Sequence, residues 1–195
     1  GGLKIKIKGD LISKPYVDLT VKLIEKFGAV VSRNGYSEFT VEGTGYTSPG
    51  SYLIEGDATG ATYFAAAAAI GGELELYGLP EDSVQGDIKF LDVLAQMGAK
   101  IKKTESSVII KKSKLHGIDI DMNAMPDAAM TLVPLALYTD GPITIRNIAS
   151  WRVKETDRIE AMVKEMSKLG VKVESGEDYI SIDASTRNDV TPTFD

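Results

Sequence analysis

One pattern recurs along this chain at a nearly constant spacing. An apolar helical run closing on a glycine, then a short strand, a polar turn and a second strand, reads in LIEKFGAVV followed by SEFTVEG, in LAQMGAKIKK followed by SSVIIKK, and in MSKLGVKVE followed by DYISIDA. The three glycines, Gly28, Gly98 and Gly170, are 70 and 72 residues apart. In parallel, EGDATGATYFAAAAAI and MPDAAMTLVPLALY each open a helix just after an aspartate, and Asp57 and Asp127 are again 70 apart. Repetition at a fixed period constrains a fold more than any local propensity, because a unit that cannot bury its apolar face alone must pack on its neighbours.

Hydrophobic periodicity fills in the unit. Strand 51–55, helix 58–70, strand 73–78, helix 86–97 and strands 99–103 and 107–111 give βαβαββ. The next unit repeats it with strand 117–121, helix 127–138, strand 143–148, helix 154–169 and strands 171–174 and 179–183. A shortened unit begins the chain. There Leu3 to Lys8 alternates as a strand, Ser13 is placed to N-cap the following helix with Pro15 in its first turn, and Gly28 suits the helix stop. The expected class is α/β, built of repeated subdomains packed side by side. Gly1-Gly2 and the polar tail STRNDVTPTFD suggest a piece of something longer.

Composition narrows the chemistry. The longest apolar run, Tyr63 to Ile70, is eight residues, far below the roughly 20 that span a bilayer, so no membrane segment is expected. A net charge of −6 offers no broad cationic field for nucleic acid. Zero cysteines and a single histidine, His116, leave carboxylates, lysine, arginine and hydroxyls as the working groups.

Those groups concentrate in WRVKETDRIEAMVKEM. In a helix beginning near Lys154, Lys154 and Arg158 share one face four residues apart, a like-charge placement that costs a few tenths of a kcal/mol unless something offsets it. At a helix N-terminus the pair builds an anion site. Glu155, three residues before Arg158, is placed to hold the guanidinium or to carry a proton. A solvated, salt-bridged helix face accounts for the same spacing. Asp127, after Pro126, reads as an N-cap or as part of this site, and Asp57 has the same position one repeat earlier. Ser13-Lys14-Pro15-Tyr16 reads as a helix start, His116 as an exposed turn residue, and Trp151 as a packing residue.

Taken together, GDLISKPYVDLT, SPGSYLIEGDATGATYFAAAAAI, QGDIKFLDVLAQMGA, IDMNAMPDAAMT and RNIASWRVKETDRIEAM closely resemble segments of the 5-enolpyruvylshikimate-3-phosphate synthases, the 3-phosphoshikimate 1-carboxyvinyltransferases, in that family's order. The resemblance implies the enolpyruvyl transferase fold, an inside-out α/β barrel of βαβαββ subdomains, here incomplete. It assigns residues 1–54 to the end of an N-terminal lobe and 55–195 to most of a C-terminal lobe, with units at 51–112 and 117–183.

It further implies transfer of the enolpyruvyl group of phosphoenolpyruvate to the 5-hydroxyl of shikimate 3-phosphate, in the route to chorismate and aromatic amino acids. No cofactor and no metal are implied, and the location is cytoplasmic, or plastid in a plant. Carried over by position, Asp127 takes the hydroxyl proton, Lys154 contacts both substrates, Glu155 handles the methylene proton, and Arg158 binds the phosphoenolpyruvate carboxylate. Ser13 and Tyr16 bind shikimate 3-phosphate, and Asp57 supports the site. Ser150 stands where the family usually has an asparagine that holds shikimate 3-phosphate, so a weaker or water-bridged contact is expected there. The family's other phosphate- and carboxylate-binding lysines and arginines have no counterpart in this chain. The expectation is therefore an enzyme piece, inactive alone, that is completed by complementary segments; the competing reading is a non-catalytic interaction module derived from such an enzyme.

Overall fold

The computed structural model describes residues 1–80 and 82–185. The polar tail noted above lies, beyond Ser185, outside the described residues. Among the described residues three sheets form, each built by the same move. In the first unit β1 (Leu3–Lys6) leads into α1 (Lys14–Lys26), and β2 (Val31–Asn34) and β3 (Glu38–Val41) return as a hairpin, giving the order β1-β3-β2. The second unit repeats this with β4 (Glu73–Tyr77), α3 (Phe90–Gln96), β5 (Lys100–Lys103) and β6 (Ser107–Lys111), in the order β4-β6-β5. In the third, β8 (Ile143–Arg146), α5 (Arg158–Lys168), β9 (Lys172–Ser175) and β10 (Ile180–Asp183) give β8-β10-β9, and β7 (Ile118–Asp121) adds in parallel to the outer edge of β8. These pairings apart from β7 are antiparallel.

Two helices precede the leading strands of the second and third units. α2 (Ala58–Gly71) packs its alanine face into the interior, with Ala65 and Ala69 fully buried. Its counterpart is not one continuous helix. The predicted helix 127–138 resolves into a 3-10 turn at Ala128–Thr131, a single α turn α4 (Leu132–Leu135) and a second 3-10 turn at Ala136–Tyr138. Pro134 is the cause, since it has no N–H to donate and its ring collides with the carbonyl four residues back.

One apolar core runs through the second and third units and includes Phe90, Leu94, Ile110, Leu132, Ile143, Trp151 and Ile180. By contrast, α1 buries no residue, although its apolar side faces Ile5, Val31 and Phe39 across a groove of about 370 Å³. Among the described residues no helix is long and apolar enough to cross a membrane.

Three local expectations are corrected. The predicted strand 51–55 is absent: Tyr52, Leu53 and Ile54 lie exposed, and the segment is held instead by the Tyr52 ring against Phe27, by Ser83 and Gln85 donating to Glu55, and by Gly56 N–H donating to the Gly78 carbonyl at 2.7 Å. Three consecutive apolar residues favour a strand covered on both faces, whereas here Tyr52 and Ile54 only edge a cleft beside α1 and Leu53 stays open. The helix predicted from Lys154 begins at Arg158, because Asp157 adopts an extended backbone and accepts from Glu160 N–H at 3.0 Å as the true N-cap. Ser13 caps nothing with its side chain, since it sits at φ 54°, ψ 41°, a left-handed conformation that turns its hydroxyl away from the first-turn N–H groups. Gly28 does close α1, at φ 78°.

Candidate active site

Five of the predicted polar residues, Tyr16, Asp127, Lys154, Glu155 and Arg158, meet where the three units meet. Tyr16 comes from α1, Asp127 from the turn leading into α4, and Lys154, Glu155 and Arg158 from the loop and first turn of α5. That loop is fixed from below. Trp151 is fully buried in a 3-10 turn at Ala149–Val153, and Arg152 reaches the Gly176 and Glu177 carbonyls and the Asp157 carboxylate. Lys154 then follows in an extended conformation, with its side chain aimed at Asp127.

Asp127 is not an N-cap. Its backbone is already helical and its carboxylate makes no capping bond. Instead Oδ1 accepts from Arg158 Nη1 at 2.7 Å and lies 3.3 Å from Lys154 Nζ, while Oδ2 faces the Tyr16 hydroxyl at 3.4 Å. Burial raises the Asp127 carboxyl, but the Arg158 hydrogen bond and the Lys154 charge outweigh it and hold the group below the usual carboxylate range. Glu155 grips Arg158 from the other side with two parallel bonds, Nε to Oε1 at 2.8 Å and Nη2 to Oε2 at 2.9 Å. The same hydrogen bonding lowers the Glu155 carboxyl. Arg158 is thus clamped between two carboxylates, with its own ionisation pushed further up.

Spacing alone allowed either an anion site or a salt-bridged face, and the geometry contains elements of both. The cations are paired, yet they converge on one carboxylate rather than lying spread along a helix. The helix N-terminus itself is filled by Asp157, so the cationic side chains, not the helix dipole, are what an incoming anion would meet.

The other predicted residues are placed less centrally. Ser13 stands just before α1, three residues from Tyr16, and Ser150 lies in the 3-10 turn before Lys154; among the described residues neither hydroxyl bonds to the cluster. Asp57 caps α2 through Thr59 N–H at 3.0 Å and reaches the site only by its charge. His116 is exposed and pairs with Asp140, and Trp151 packs in the core as expected. A cleft of about 440 Å³ beside α1, walled by Lys22, Lys26, Glu55 and Asp82, holds none of the predicted site residues.

Asp87 was not anticipated. It lies in the 3-10 turn Gly86–Lys89 with only 3% of its surface exposed, and it accepts from the Tyr16 hydroxyl at 3.1 Å to each oxygen and from the Thr59 hydroxyl in a short bond. Burial, with the charges of Asp127 and Asp57, raises its carboxyl above the usual range despite those two donors. Tyr16 is raised as well, by burial first and then by the two aspartates. The one sequence signal was an aspartate directly after a glycine in QGDIKF, in itself an ordinary turn.

Comparison with known proteins places these residues in context. The sequence model described as EPSP synthase (3-phosphoshikimate 1-carboxyvinyltransferase) matches residues 1–193. The chain is 48% identical over 188 residues to the 3-phosphoshikimate 1-carboxyvinyltransferase of Aeromonas salmonicida, covering 96% of this chain and 44% of that protein. It is 53% identical over 182 residues to the Marinomonas enzyme of the same name, covering 92% and 43%. Among solved structures, EPSP synthase from Acinetobacter baumannii superposes with a TM-score of 0.73 at 23% identity, over 96% of this chain and 44% of that one. The enolpyruvyl transferase NikO from Streptomyces tendae does so at 0.67 and 18% identity, over 94% and 42%, which speaks to the fold alone. The chain therefore spans less than half the length of the curated relatives it matches, and by sequence along nearly its whole extent it belongs to the EPSP synthase family.

Proposed function

We propose that, in a complete polypeptide of its relatives' length, this chain supplies the acid–base half of a site that moves the enolpyruvyl group of phosphoenolpyruvate to the 5-hydroxyl of shikimate 3-phosphate. On this reading residues 1–54 end one lobe, residues 55–195 form most of the other, and the enzyme works in the cytoplasm without a cofactor. The observation that carries it is the convergence of Asp127, Lys154, Glu155 and Arg158 into one connected set of contacts. A purely scaffolding repeat has no use for two cations and two carboxylates gathered at a seam.

The reaction adds the hydroxyl oxygen to C2 of phosphoenolpyruvate while its methylene carbon gains a proton. The resulting ketal then loses that methyl proton and expels phosphate. Asp127 accepts the hydroxyl proton, Glu155 carries the proton at the methylene carbon, and Arg158 binds the carboxylate of the enol substrate. Lys154 lies between the two substrates, and Ser13, Tyr16 and Ser150 orient shikimate 3-phosphate.

The clamp on Arg158 gives the sequence of events a physical basis. While Glu155 and Asp127 share the guanidinium, both carboxyls are held in the ionised form, which suits neither proton delivery nor strong basicity. A substrate carboxylate competing for Arg158 releases them, and both rise toward the range where protons are exchanged. The test is phosphate release by the complete polypeptide with both substrates, wild type against Asp127→Ala. Turnover that survives that substitution unchanged overturns the reading.

A further inference from the structure

Asp87 is the buried carboxylate that the reaction scheme leaves idle. It is on none of the elements that carry Lys154, Glu155 or Arg158, and its partners are two hydroxyls rather than cations. Tyr16 is its link to the site. The phenol has one proton and three carboxylate oxygens within reach, two on Asp87 at 3.1 Å and one on Asp127 at 3.4 Å, and it can donate to only one aspartate at a time.

The seat of the phenol is set by backbone packing. A Cβ built on Gly86 would lie 2.5 Å from Pro15 Cβ and 3.1 Å from its Cγ, so the turn carrying Asp87 rests flush against the first turn of α1, one residue before Tyr16. Only glycine permits that approach, and the approach puts Tyr16 between the two aspartates.

We propose that Asp87 is a positioning residue for Asp127, acting through the Tyr16 phenol, which the contact of Gly86 with Pro15 holds in place. Asp87 draws the phenol proton to itself and leaves Asp127 Oδ2 undonated, hence the better base. This rests on the enolpyruvyl-transfer reading for its functional consequence, although the link itself does not. The groups facing Asp127 are Lys154, Arg158 with Glu155 behind it, and Tyr16; Asp87 faces Tyr16 and Thr59, with Asp57 nearby.

Asp87→Asn keeps the size but reverses the link. The amide donates to the phenol oxygen, and the phenol proton turns to Asp127. In the complete polypeptide the Asp127 carboxyl, followed by carbon-13 NMR, should then titrate about 0.5 to 1 pH unit lower. Turnover should fall about 10-fold, with KM for either substrate changed less than about threefold. In a Tyr16→Phe background the same substitution should produce less than half of that titration shift, because only the direct repulsion between the aspartates remains.

An Asp87→Asn shift of equal size with and without the phenol overturns the proposal, as does no shift at all in the presence of Tyr16. Should Asp87→Asn fail to fold, Gly86→Ala decides the matter, since it keeps every polar group but displaces Pro15. A folded Gly86→Ala protein with wild-type turnover and a wild-type Asp127 titration overturns the proposal, and a change in both supports it. If the complete wild-type polypeptide turns over neither substrate, the enolpyruvyl-transfer reading falls, while the NMR titration still decides the role of Asp87.

Discussion

The indole N–H of Trp151 donates to the carbonyl oxygen of Pro126 at 2.7 Å, so the loop that delivers Lys154 is fastened to the residue immediately before Asp127. Both ends of that bond are inaccessible to water, and its loss leaves a buried carbonyl unpaired. Trp151→Phe should lower unfolding free energy by about 1 to 3 kcal/mol, read as a shift of the urea midpoint with unchanged slope. In the complete polypeptide it should reduce kcat more than it raises KM, because it blurs the distance between Lys154 and Asp127 rather than removing either.

Arg158→Lys tests the clamp. A lysine keeps the charge but cannot engage Glu155 through two parallel bonds while also reaching Asp127. Since the Arg158 hydrogen bond is what chiefly depresses Glu155, the Glu155 carboxyl should titrate nearer its ordinary value in the variant. A carbon-13 titration of that residue checks it, and an unmoved Glu155 would show the clamp to be inconsequential.

The pH dependence of stability follows from Asp127. Its carboxyl is depressed in the folded protein, so its ion pairs contribute stability that is complete above the unfolded value of about 3.9 and is lost as pH falls through the folded value. The stability gap between wild type and Asp127→Asn should therefore be widest near pH 6 and should shrink below about pH 4. Urea unfolding of both proteins at pH 6 and pH 3 measures it.

For turnover, Asp127→Ala and Glu155→Gln in the complete polypeptide should each cost about 100- to 10,000-fold in kcat, the usual worth of a positioned proton transfer, without loss of fold by circular dichroism. Arg158→Ala should instead act chiefly on KM for the carboxylate-bearing enol substrate.

Residues 1–195 alone should release no measurable phosphate from the two substrates. A reaction that stabilises a phosphate and a carboxylate together draws about 1.5 to 3 kcal/mol from each charge-assisted contact, and among the described residues Lys154 and Arg158 are the cations gathered at the site. Adding the complementary segments as separate polypeptides should restore activity. Substantial turnover by the isolated chain would mean that Lys154 and Arg158 suffice.

Much of this was legible in the sequence, and the reasons differ by element. The 70-residue offsets predicted the units because duplicated hydrophobic patterns answer to the same packing problem, and β6 falls at Ser107–Lys111, the bounds its alternation implies. The strand at 51–55 was misread because an apolar run reports a wish for burial and not the presence of a cover. The start of α5 was misplaced by four residues because Lys154 and Glu155 are good helix formers, whereas the Asp157 cap depends on the pinned backbone before it. The Asp127, Lys154 and Arg158 convergence followed from resemblance; charge spacing alone left it open. Asp87 showed only as an ordinary glycine-preceded turn residue, since its burial is created by α1 and α2, far away in sequence.

The cluster also bears on how the protein matures. The Tyr16 contacts join residues separated by 71 and 111 positions, and the Arg158 contact with Asp127 spans 31. Such distant pairings form late, after each repeat has collapsed on its own local hairpin and helix. A ribosome must therefore have passed Arg158 before the full set of contacts can assemble, although Tyr16 and Asp87 are both made well before that. Newly made protein should gain substrate affinity in a single late step, not by increments as successive repeats emerge.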